Sequence, residues 1–510
     1  MRSRKKCLCL YTSVFALSVS SWVESAGAEA PSRHRASQTS AHSSAPVTMK
    51  PAAAVRSAPP VRQVAAQGEE ISVSSARRLF EQGERQHVGV SETHISVETL
   101  ARHVVTDVKG LMNLAPNLTV QPQGGSANVN FTLRGVGLKD FTSNNTPSVM
   151  TYVDGVALPI GYMAGSGLFD LAGVDVVTGP VGFTHGQTVT AGEINIKTAD
   201  PTKTFHYGGS EDLATYVRSI TNFYVSGPIT DNLQFRIAAY TQQGGGFQTN
   251  RYTGQNLGDA NKGGLRGKLA WQPDSKTNIA LTANWLQDDS EAVGAFNVED
   301  NVKHTPPYTN NLETGWGFRK DFLKITGNMG RTKPSYNDTF WGGALDMTRD
   351  LGFARLETVT SYQQMYVHNL MDLDATPYAI YDDDVNTNGN MLSQEIRLSS
   401  RNPQSRLQWV AGMYYDRTQL KSTFFNDYTD SGTRPYVQRT SYKQDQQAFS
   451  QFGNLRFAVT SKLHLTAGVS HESDDRSLYD MQTLRYRTAL YPVNFDNKYA
   501  QHGALANQFS

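Results

Sequence analysis

From about Lys203 onward, apolar and polar residues alternate in long runs that are separated by turns and polar loops. In one run Leu233 and Phe235 alternate with Gln234 and Arg236. Successive side chains of a β-strand point to opposite faces, so this period of two predicts strands with one apolar and one polar face. Further runs of the same kind occupy residues 265–271, 279–285, 407–415, 455–459 and 463–469.

The polar face of these runs carries Arg, Lys, Gln, Asn and His, and Trp and Tyr stand near the strand ends of the apolar face. This distribution is typical of a transmembrane barrel, whose outer face meets lipid and whose inner face is wet. A soluble two-sheet sandwich also alternates, but it would put polar residues outside and would need fewer interfacial aromatic residues. We therefore predict an antiparallel, all-β membrane barrel in residues 203–510.

A different pattern precedes the barrel, where short β-type runs each end in a Gly, Pro or Asp-Gly turn signal. A helix is also predicted at Asp107–Ala115, with Thr106 as its N-cap, because apolar side chains recur there at i, i+3, i+4 and i+7. The short runs lie at residues 131–137, 149–156, 168–171, 174–180 and 191–198.

In this order, the Arg-Gly turn at 134–135, the Tyr-Val-Asp-Gly-Val run, the Val-Asp-Val-Val-Thr-Gly-Pro run and the Gly-Glu-Ile-Asn-Ile run resemble the plug domain of the TonB-dependent outer-membrane receptors. Residues 356–362 and 393–400 resemble barrel strands of the same family. The resemblance implies a small α/β plug domain at 79–202, followed by the barrel. It also implies that the barrel is incomplete, with about 12 of roughly 22 strands.

Two arginines that are common in plugs of this family are absent. Thr178 stands before Gly179-Pro180, where the family usually has an arginine. His185-Gly186-Gln187-Thr188 replaces the Tyr-Gly-Arg-Asn motif of the family. Because such arginines pair with inward glutamates of the barrel, Glu395 is expected to need another partner. Arg134, Lys197 or water could supply it, and Arg134 and Glu395 are the candidate plug–barrel contacts.

The N-terminus has the features of a secretory signal peptide at residues 1–28. Basic residues precede an apolar stretch from Cys7 to about Val19, and Ala26-Gly27-Ala28 is a small-residue cleavage site. Both cysteines of the chain, Cys7 and Cys9, lie inside it, so no disulfide is expected in the mature protein. Residues 29–68, rich in Ala, Ser, Pro and Gln, are predicted to be a disordered linker.

Residues 69–78 resemble the TonB box of the family, in which an extended apolar-polar run precedes paired arginines. Such a segment can add a strand to the sheet of a partner through main-chain hydrogen bonds. The partner implied is the inner-membrane TonB energy-transducing complex, and the alternative is that this run is the first plug strand. The residues expected to bind the partner are Glu70, Ile71, Ser72, Val73 and Ser74.

The resemblance implies a receptor in the outer membrane of a Gram-negative cell that imports a ferric siderophore or a similarly large ligand, with outer-membrane lipid around its barrel. The ligand is expected over apical loops near residues 138–146 and 158–166. Importers of a sugar or cobalamin, and a non-transporting membrane fragment, are the alternatives. The candidate ligand contacts are Lys139, Phe141, Asn144, Asn145 and Tyr162.

Composition and motifs exclude other classes of protein. A formal net charge of +1 argues against a nucleic-acid binder. The sequence contains no His-Glu-x-x-His, phosphate-loop or Gly-x-Ser-x-Gly motif, so no enzyme activity is predicted. Asp382-Asp383-Asp384 lacks the glycine and the closing glutamate of a calcium loop, which favours a solvated loop there. No metal and no cofactor are predicted.

The length of the predicted barrel is unusual. Residues 203–510 have room for only about a dozen strands, too few to enclose a folded plug. An open barrel would leave unpaired backbone groups in lipid. We therefore expect a truncated or frameshifted reading of a longer receptor, or a partner fragment that supplies the missing strands.

Overall fold

The computed structural model describes residues 91–122, 128–138, 144–165, 167–179, 187, 189–296, 315–402, 405–431, 436–460 and 463–486. All of these belong to one compact unit. The predicted signal peptide, linker and TonB-box segment lie outside the described residues, as do Lys139 and Phe141. None of the helices within the described ranges has the length and hydropathy needed to cross a bilayer.

A small domain at the N-terminal side contains two sheets. One is five-stranded in the order β1-β7-β8-β5-β6, with β5 and β8 parallel, and the other is three-stranded in the order β2-β3-β4. The strands are β1 Ser91–Ser96, β2 Leu118–Pro122, β3 Val129–Leu133, β4 Val136–Gly137, β5 Val149–Val153, β6 Val156–Leu158, β7 Leu171–Thr178 and β8 Gly192–Thr198. Helices α1 (Val97–Arg102) and α2 (Gly161–Ala164) and a 3₁₀ helix (Val108–Asn113) accompany them.

The turn signals of the sequence give tight hairpins in the small domain. Asp154 and Gly155 join β5 to β6 with φ values of 49° and 84°, and Arg134 and Gly135 join β3 to β4 with φ values of 50° and 80°. Two consecutive residues in the left-handed region match the twist of the flanking strands, and Asp-Gly suits such turns well. The apolar runs between the turns form the buried core of the domain.

The helix predicted at Asp107–Ala115 is present in a shorter and tighter form. The 3₁₀ helix covers Val108–Asn113, and its N-cap is Asp107, not Thr106. The Asp107 carboxylate accepts from the backbone N–H of Lys109 at 3.0 Å and of Gly110 at 3.2 Å. A carboxylate that satisfies two otherwise free N–H groups competes better for the cap position than a threonine one residue earlier.

The rest of the described chain forms a large antiparallel sheet of twelve strands. Eleven of them follow one path from β9 to β22, and the short β16 pairs with β18; β9 and β22 end the path. The remaining pair, β12 Gln248–Thr249 and β13 Asn256–Leu257, forms a separate hairpin. The strands of the large sheet are β9 His206–Ala214, β10 Arg218–Thr230, β11 Leu233–Gly244, β14 Ala260–Asp274, β15 Thr277–Asp288, β16 Ser335–Tyr336, β17 Asp338–Asp350, β18 Ala354–Asp372, β19 Asp382–Ser400, β20 Leu407–Asp427, β21 Val437–Ala458 and β22 His464–Tyr486.

Connections at the two ends of the large sheet differ in length. At one end, here the short-loop end, tight turns join β10 to β11 and β14 to β15; at the other, the long-loop end, longer segments join β11 to β14, β15 to β17 and β18 to β19. Helix α3 (Lys320–Thr326) and a second 3₁₀ helix (Thr215–Val217) lie in connections at the long-loop end. The prediction of a solvated loop at Asp382–Asp384 is wrong, because β19 begins at Asp382 and buries these side chains.

The large sheet exposes its apolar face and buries its polar face, which is the reverse of the arrangement in a soluble protein. Leu281 and Leu265 on the outer face are 49% and 48% exposed, whereas Arg266 and Lys268 on the inner face are each 6% exposed. The small domain lies against the inner face, and its core continues into apolar side chains of the wall such as Met365. The predicted antiparallel barrel sheet behind a small α/β domain is thus confirmed. A sandwich would bury the apolar stripes instead.

Candidate functional site between the small domain and the large sheet

Three basic side chains of the inner face contact the small domain. Arg236 lies on β11, and Arg266 and Lys268 lie on β14. Arg236 and Lys268 are direct cross-strand partners, and Arg266 follows two residues away on the same face. We call these three residues the basic row. Like charges placed this closely require acidic or polar partners, and the small domain supplies them.

Asp170 binds the first member of the basic row. Its carboxylate accepts from Nε of Arg236 at 2.9 Å and 3.1 Å, and Nη2 of the same arginine also binds it. The guanidinium stacks 4.1 Å from the centre of the Tyr224 ring. Both charged side chains are almost fully buried, so the planar fork of the arginine is well suited to this two-oxygen contact.

Arg266 binds main chain of the small domain rather than a carboxylate. Its Nη1 donates to the carbonyl oxygen of Phe169 at 2.7 Å, and its guanidinium lies 4.3 Å from the centre of that residue's ring. Its Nε donates to Asn284 Oδ1 on β15 at 2.7 Å. The contact therefore fixes the segment before Asp170 against two strands of the wall.

Lys268 binds the β5–β6 turn and the chain that leaves the small domain. Its Nζ lies 3.0 Å from Asp154 Oδ2 and 3.5 Å from Asp200 Oδ1, and it donates to the carbonyl of Thr198 at 3.3 Å. Burial alone would raise the pKa of Asp154, but the charge of Lys268 and hydrogen bonds from Thr198 lower it below its ordinary value. The carboxylate is therefore ionised at neutral pH.

A further polar contact joins the small domain to β20. Nε2 of Gln187 donates to Asp416 Oδ1 at 2.9 Å, and both side chains are buried. Gln187 stands where the family resemblance would place an arginine, so a neutral amide here binds a wall carboxylate. The absence of the arginine is visible in the sequence, but the sequence does not predict which wall residue lies opposite Gln187.

Glu395 has a different partner from those the sequence suggested. Its Oε1 lies 3.3 Å from Nε of Arg397, two residues along the same strand, and Nη2 of Arg397 lies 3.3 Å from Glu357 Oε1 on β18. Arg134 instead lies exposed in the β3–β4 turn. Lys197 pairs with Asp175 inside the small domain, 3.1 Å away. The i, i+2 spacing of Glu395 and Arg397 was the signal for this pairing, because such residues share a face.

The candidate ligand contacts within the described ranges differ in their exposure to solvent. The carbonyl of Asn144 accepts from Gln444 Nε2 on β21 at 3.1 Å, and Asn145 is exposed. Tyr162, expected on an open loop, lies on α2 and is only 5% exposed. Burial, with a contribution from the charge of Asp338, raises the pKa of its hydroxyl.

Sequence reasoning missed a cavity of about 260 Å³ at the boundary between the small domain and β10, β11, β14 and β15. It extends toward the long-loop end, where Gly245 and Phe247 line it. The ligand contacts inferred from loops alone did not include the wall side chains of these strands. The charged and aromatic lining includes Lys109, Arg218, Tyr240, Lys262, Asp288 and Tyr336.

Comparison with known proteins identifies the small domain. Residues 84–192 match the family model of the TonB-dependent receptor plug domain. The small domain is therefore a plug domain of the TonB-dependent receptor type. Below, the small domain is called the plug domain and the large sheet is called the barrel sheet.

Relatives in sequence are distant but extend beyond the plug domain. The pesticin receptor of Yersinia pestis is 24% identical over 393 residues, which cover 76% of this chain and 54% of the relative. The iron-regulated outer membrane virulence protein of Vibrio cholerae is 24% identical over 220 residues, 40% of this chain and 32% of the relative. The chain thus spans about half the length of the curated relatives it matches.

Solved structures share the fold. The ferric yersiniabactin uptake receptor FyuA from Yersinia pestis superimposes with a TM-score of 0.65 at 21% identity, over 78% of this chain and 58% of that one. The unliganded ferric citrate transporter FecA superimposes with a TM-score of 0.55 at 14% identity, over the same shares of the two chains. These similarities support the plug-and-barrel architecture described above.

Proposed function

We propose that this receptor imports a ferric siderophore or a similarly large iron chelate across the outer membrane, using energy delivered through TonB. The observation that carries the proposal is the reversed sheet: a polar inner face that holds the plug domain and an apolar outer face that is exposed. A plug inside a wet wall with a lipid-facing exterior is an arrangement suited to gated transport of a large ligand.

The class of ligand rests on the relatives and on the cavity. Proteins with the same fold are described as receptors of ferric yersiniabactin, ferripyoverdine and ferric citrate. The lining of the cavity beside the plug domain includes the basic Lys109 and Arg218, the acidic Asp107 and Glu291, and the aromatic Tyr240. Charged and aromatic side chains suit a polar, partly aromatic ligand such as an iron chelate.

The proposed energy coupling begins at the TonB-box segment, Glu70–Ser74. A partner that binds this segment by strand addition would pull on the chain at a point N-terminal to β1. β1 is the edge strand of the five-stranded sheet and pairs only with β7 among the described strands. Force applied there would separate β1 from β7 first, and the contacts of the basic row would resist release of the remaining plug strands.

Uptake of radioactive iron tests this proposal in cells that lack their own copy of the gene. Cells that express the receptor should accumulate iron from a ferric siderophore, and a proton uncoupler should stop the accumulation. Ile71→Pro removes the backbone N–H that pairs with the partner and should abolish uptake, whereas the matched Ile71→Ala keeps that N–H and should retain most of it.

Two results would contradict the proposal in different ways. If no ferric siderophore is imported but another large ligand is, the assignment of the ligand fails. If Ile71→Pro imports as well as the unchanged receptor, the TonB-box assignment fails. Surface labelling of each variant must show equal amounts in the membrane, so that loss of uptake cannot reflect loss of protein.

A further inference from the structure

Three aspartates form a row across adjacent strand ends at the long-loop end of the barrel sheet. Asp372 ends β18, Asp382 begins β19 and Asp427 ends β20; Asp382 is the cross-strand partner of both others. Directly opposed residues of neighbouring strands project to the same face with Cβ atoms about 5 Å apart. All three are at most 3% exposed. Like charges so placed repel strongly unless a positive charge lies between them.

Asp382 gives the strongest evidence in this row for a bound ligand. It is 0% exposed, and neither of its carboxylate oxygens has a hydrogen-bond partner among the described residues. Oδ2 of Asp427 is in the same condition within that part of the chain. A buried carboxylate is normally hydrogen-bonded, ion-paired or bound to a metal. Arg319, a basic side chain of this region, pairs with Asp430 at 2.8 Å.

The connection after β18 brings further oxygen atoms to Asp382. One carboxylate oxygen each of Asp372, Asp374 and Asp382 lie within 4.8 Å of one another. Asp374 is oriented by the backbone N–H groups of Ile380 and Tyr381, at 3.0 and 2.8 Å from its Oδ2.

The spacing of these residues also fits a calcium loop. Asp372, Asp374 and Thr376 occupy the first, third and fifth positions of a segment whose seventh residue is Tyr378. Calcium loops take side-chain oxygens from positions 1, 3 and 5 and a backbone carbonyl from position 7. The acidic residue that completes the set comes here from a neighbouring strand, as Asp382, and not from the loop itself.

We propose that Asp372, Asp374 and Asp382 bind one calcium ion at the long-loop end of the barrel sheet. Oxygens bound to one Ca²⁺ at about 2.4 Å lie at most about 5 Å apart, which agrees with the observed separations. Mg²⁺ usually retains several waters, which a buried row of carboxylates would exclude. The oxygen-only, carboxylate-rich set disfavours zinc and copper. The ion would tie β18, β19 and their connection together.

Terbium luminescence tests the site on the purified full chain in detergent after treatment with a chelator. Terbium replaces calcium, and Tyr381, which stacks on Tyr428 with ring centres 5.4 Å apart, can excite it. The unchanged receptor should show saturable emission that calcium displaces and that the same concentration of magnesium does not. Asp382→Asn should weaken binding by about tenfold or more, because affinity depends on the number of charged ligands.

The matched control is Asp383→Asn, one residue along β19. Its carboxylate accepts from Asn426 Nδ2 at 3.0 Å, and alternation along the strand directs it away from the row. This variant should bind terbium and calcium nearly as well as the unchanged receptor. Asp372→Asn offers a second loss-of-binding variant if Asp382→Asn does not fold.

Thermal unfolding separates a metal ligand from a merely buried carboxylate. In chelator, Asp382→Asn should melt at a higher temperature than the unchanged receptor, because an uncompensated buried charge has been removed. In excess calcium the order should reverse, because only the unchanged receptor gains stability from the bound ion. Absence of saturable binding by the unchanged receptor, or equal binding by Asp382→Asn, would overturn the proposal.

Discussion

Replacing Asp170 by asparagine should loosen the plug domain more than any other single change of similar size. Asparagine keeps the shape of the side chain and tolerates the φ of 52° found at this position, so the change removes charge alone. The aspartate side chain is 6% exposed and that of Arg236 is 9% exposed, so solvent screens neither strongly. The variant therefore leaves a guanidinium buried against Tyr224 without its carboxylate.

The magnitude follows from this burial. Removing one partner of a buried ion pair costs about 3–5 kcal/mol, most of it the cost of the stranded charge. At about 1.4 kcal/mol for each factor of ten, the population of molecules with a released plug should rise from about 140-fold to about 3700-fold. If release precedes global unfolding, amide hydrogen exchange in β7, which begins at Leu171, will report it.

The assay is hydrogen exchange followed by mass spectrometry in outer-membrane vesicles. Asp445→Asn is the matched control, because it breaks an Asp–Arg pair with Arg417 on the exposed outer side of the wall and should leave β7 unaffected. The double variant Asp170→Asn with Arg236→Gln removes the stranded charge and should recover part of the protection. Unchanged exchange of β7 in Asp170→Asn would refute the inference that the basic row holds the plug.

Three further changes test other parts of the account. The lowered pKa of Asp154 means that its ionised form stabilises the plug above the pKa of the unfolded chain, about 3.9, and that this contribution is lost as pH falls through the lower folded value. Protection of the β5–β6 turn, taken as the exchange rate relative to that of an unfolded peptide at the same pH, should therefore stay constant from pH 7 to about 4 and fall below that. In Lys268→Met the fall should begin at higher pH. Gln187→Ala should lower the stability of plug docking by about 1–3 kcal/mol, since it leaves Asp416 Oδ1 buried without its donor. The control Gln364→Ala, which loses a solvent-exposed hydrogen bond to Asn388, should show no such loss in chemical denaturation. Leu281→Lys places a charge on the outer face and should lower the free energy of folding into bilayers by about 2–4 kcal/mol. Gln287→Lys, near the long-loop end of the same strand and face, should fold normally. Equal folding yields of the two variants would contradict a lipid-facing position for Leu281.

The strands and the reversed faces could be predicted from the sequence because each depends on local pattern alone. Period-two alternation in residues such as Leu281 and Thr282 fixes which side chain faces outward before any strand pairing is known. The hairpins at Arg134-Gly135 and Asp154-Gly155 could likewise be predicted from their own turn residues. These features do not depend on how distant segments meet.

The contacts between the plug domain and the wall could not be predicted in the same way. Asp170 and Arg236 are 66 residues apart, and Gln187 and Asp416 are 229 residues apart. Their meeting depends on strand register and on how the plug lies against the inner face, neither of which a single sequence reveals. Comparison with the family drew attention to the missing plug arginines, whereas the structure reverses the charges: acidic plug residues here bind basic wall residues.

The proposed calcium site could be predicted from the sequence only in part. The spacing of Asp372, Asp374 and Thr376 is visible in the sequence, but the completing Asp382 joins them only because β18 and β19 pair in register. The consecutive aspartates at 382–384 suggest a solvated loop in the sequence, but they begin a strand in the structure. Strand pairing separates them, since adjacent residues face opposite sides of the sheet.

The measurement that tests the central claim most directly is spin-label accessibility along β15 in outer-membrane vesicles. The only cysteines of the chain, Cys7 and Cys9, lie in the predicted signal peptide, so single labels at Leu281, Thr282, Ala283 and Asn284 would be unique in the mature protein. Labels at 281 and 283 should relax rapidly with lipid-soluble oxygen, and labels at 282 and 284 should be shielded from it by the plug domain and wall. Loss of this alternation, with residue 281 shielded from lipid and packed against protein, would contradict a plug held inside a lipid-facing sheet.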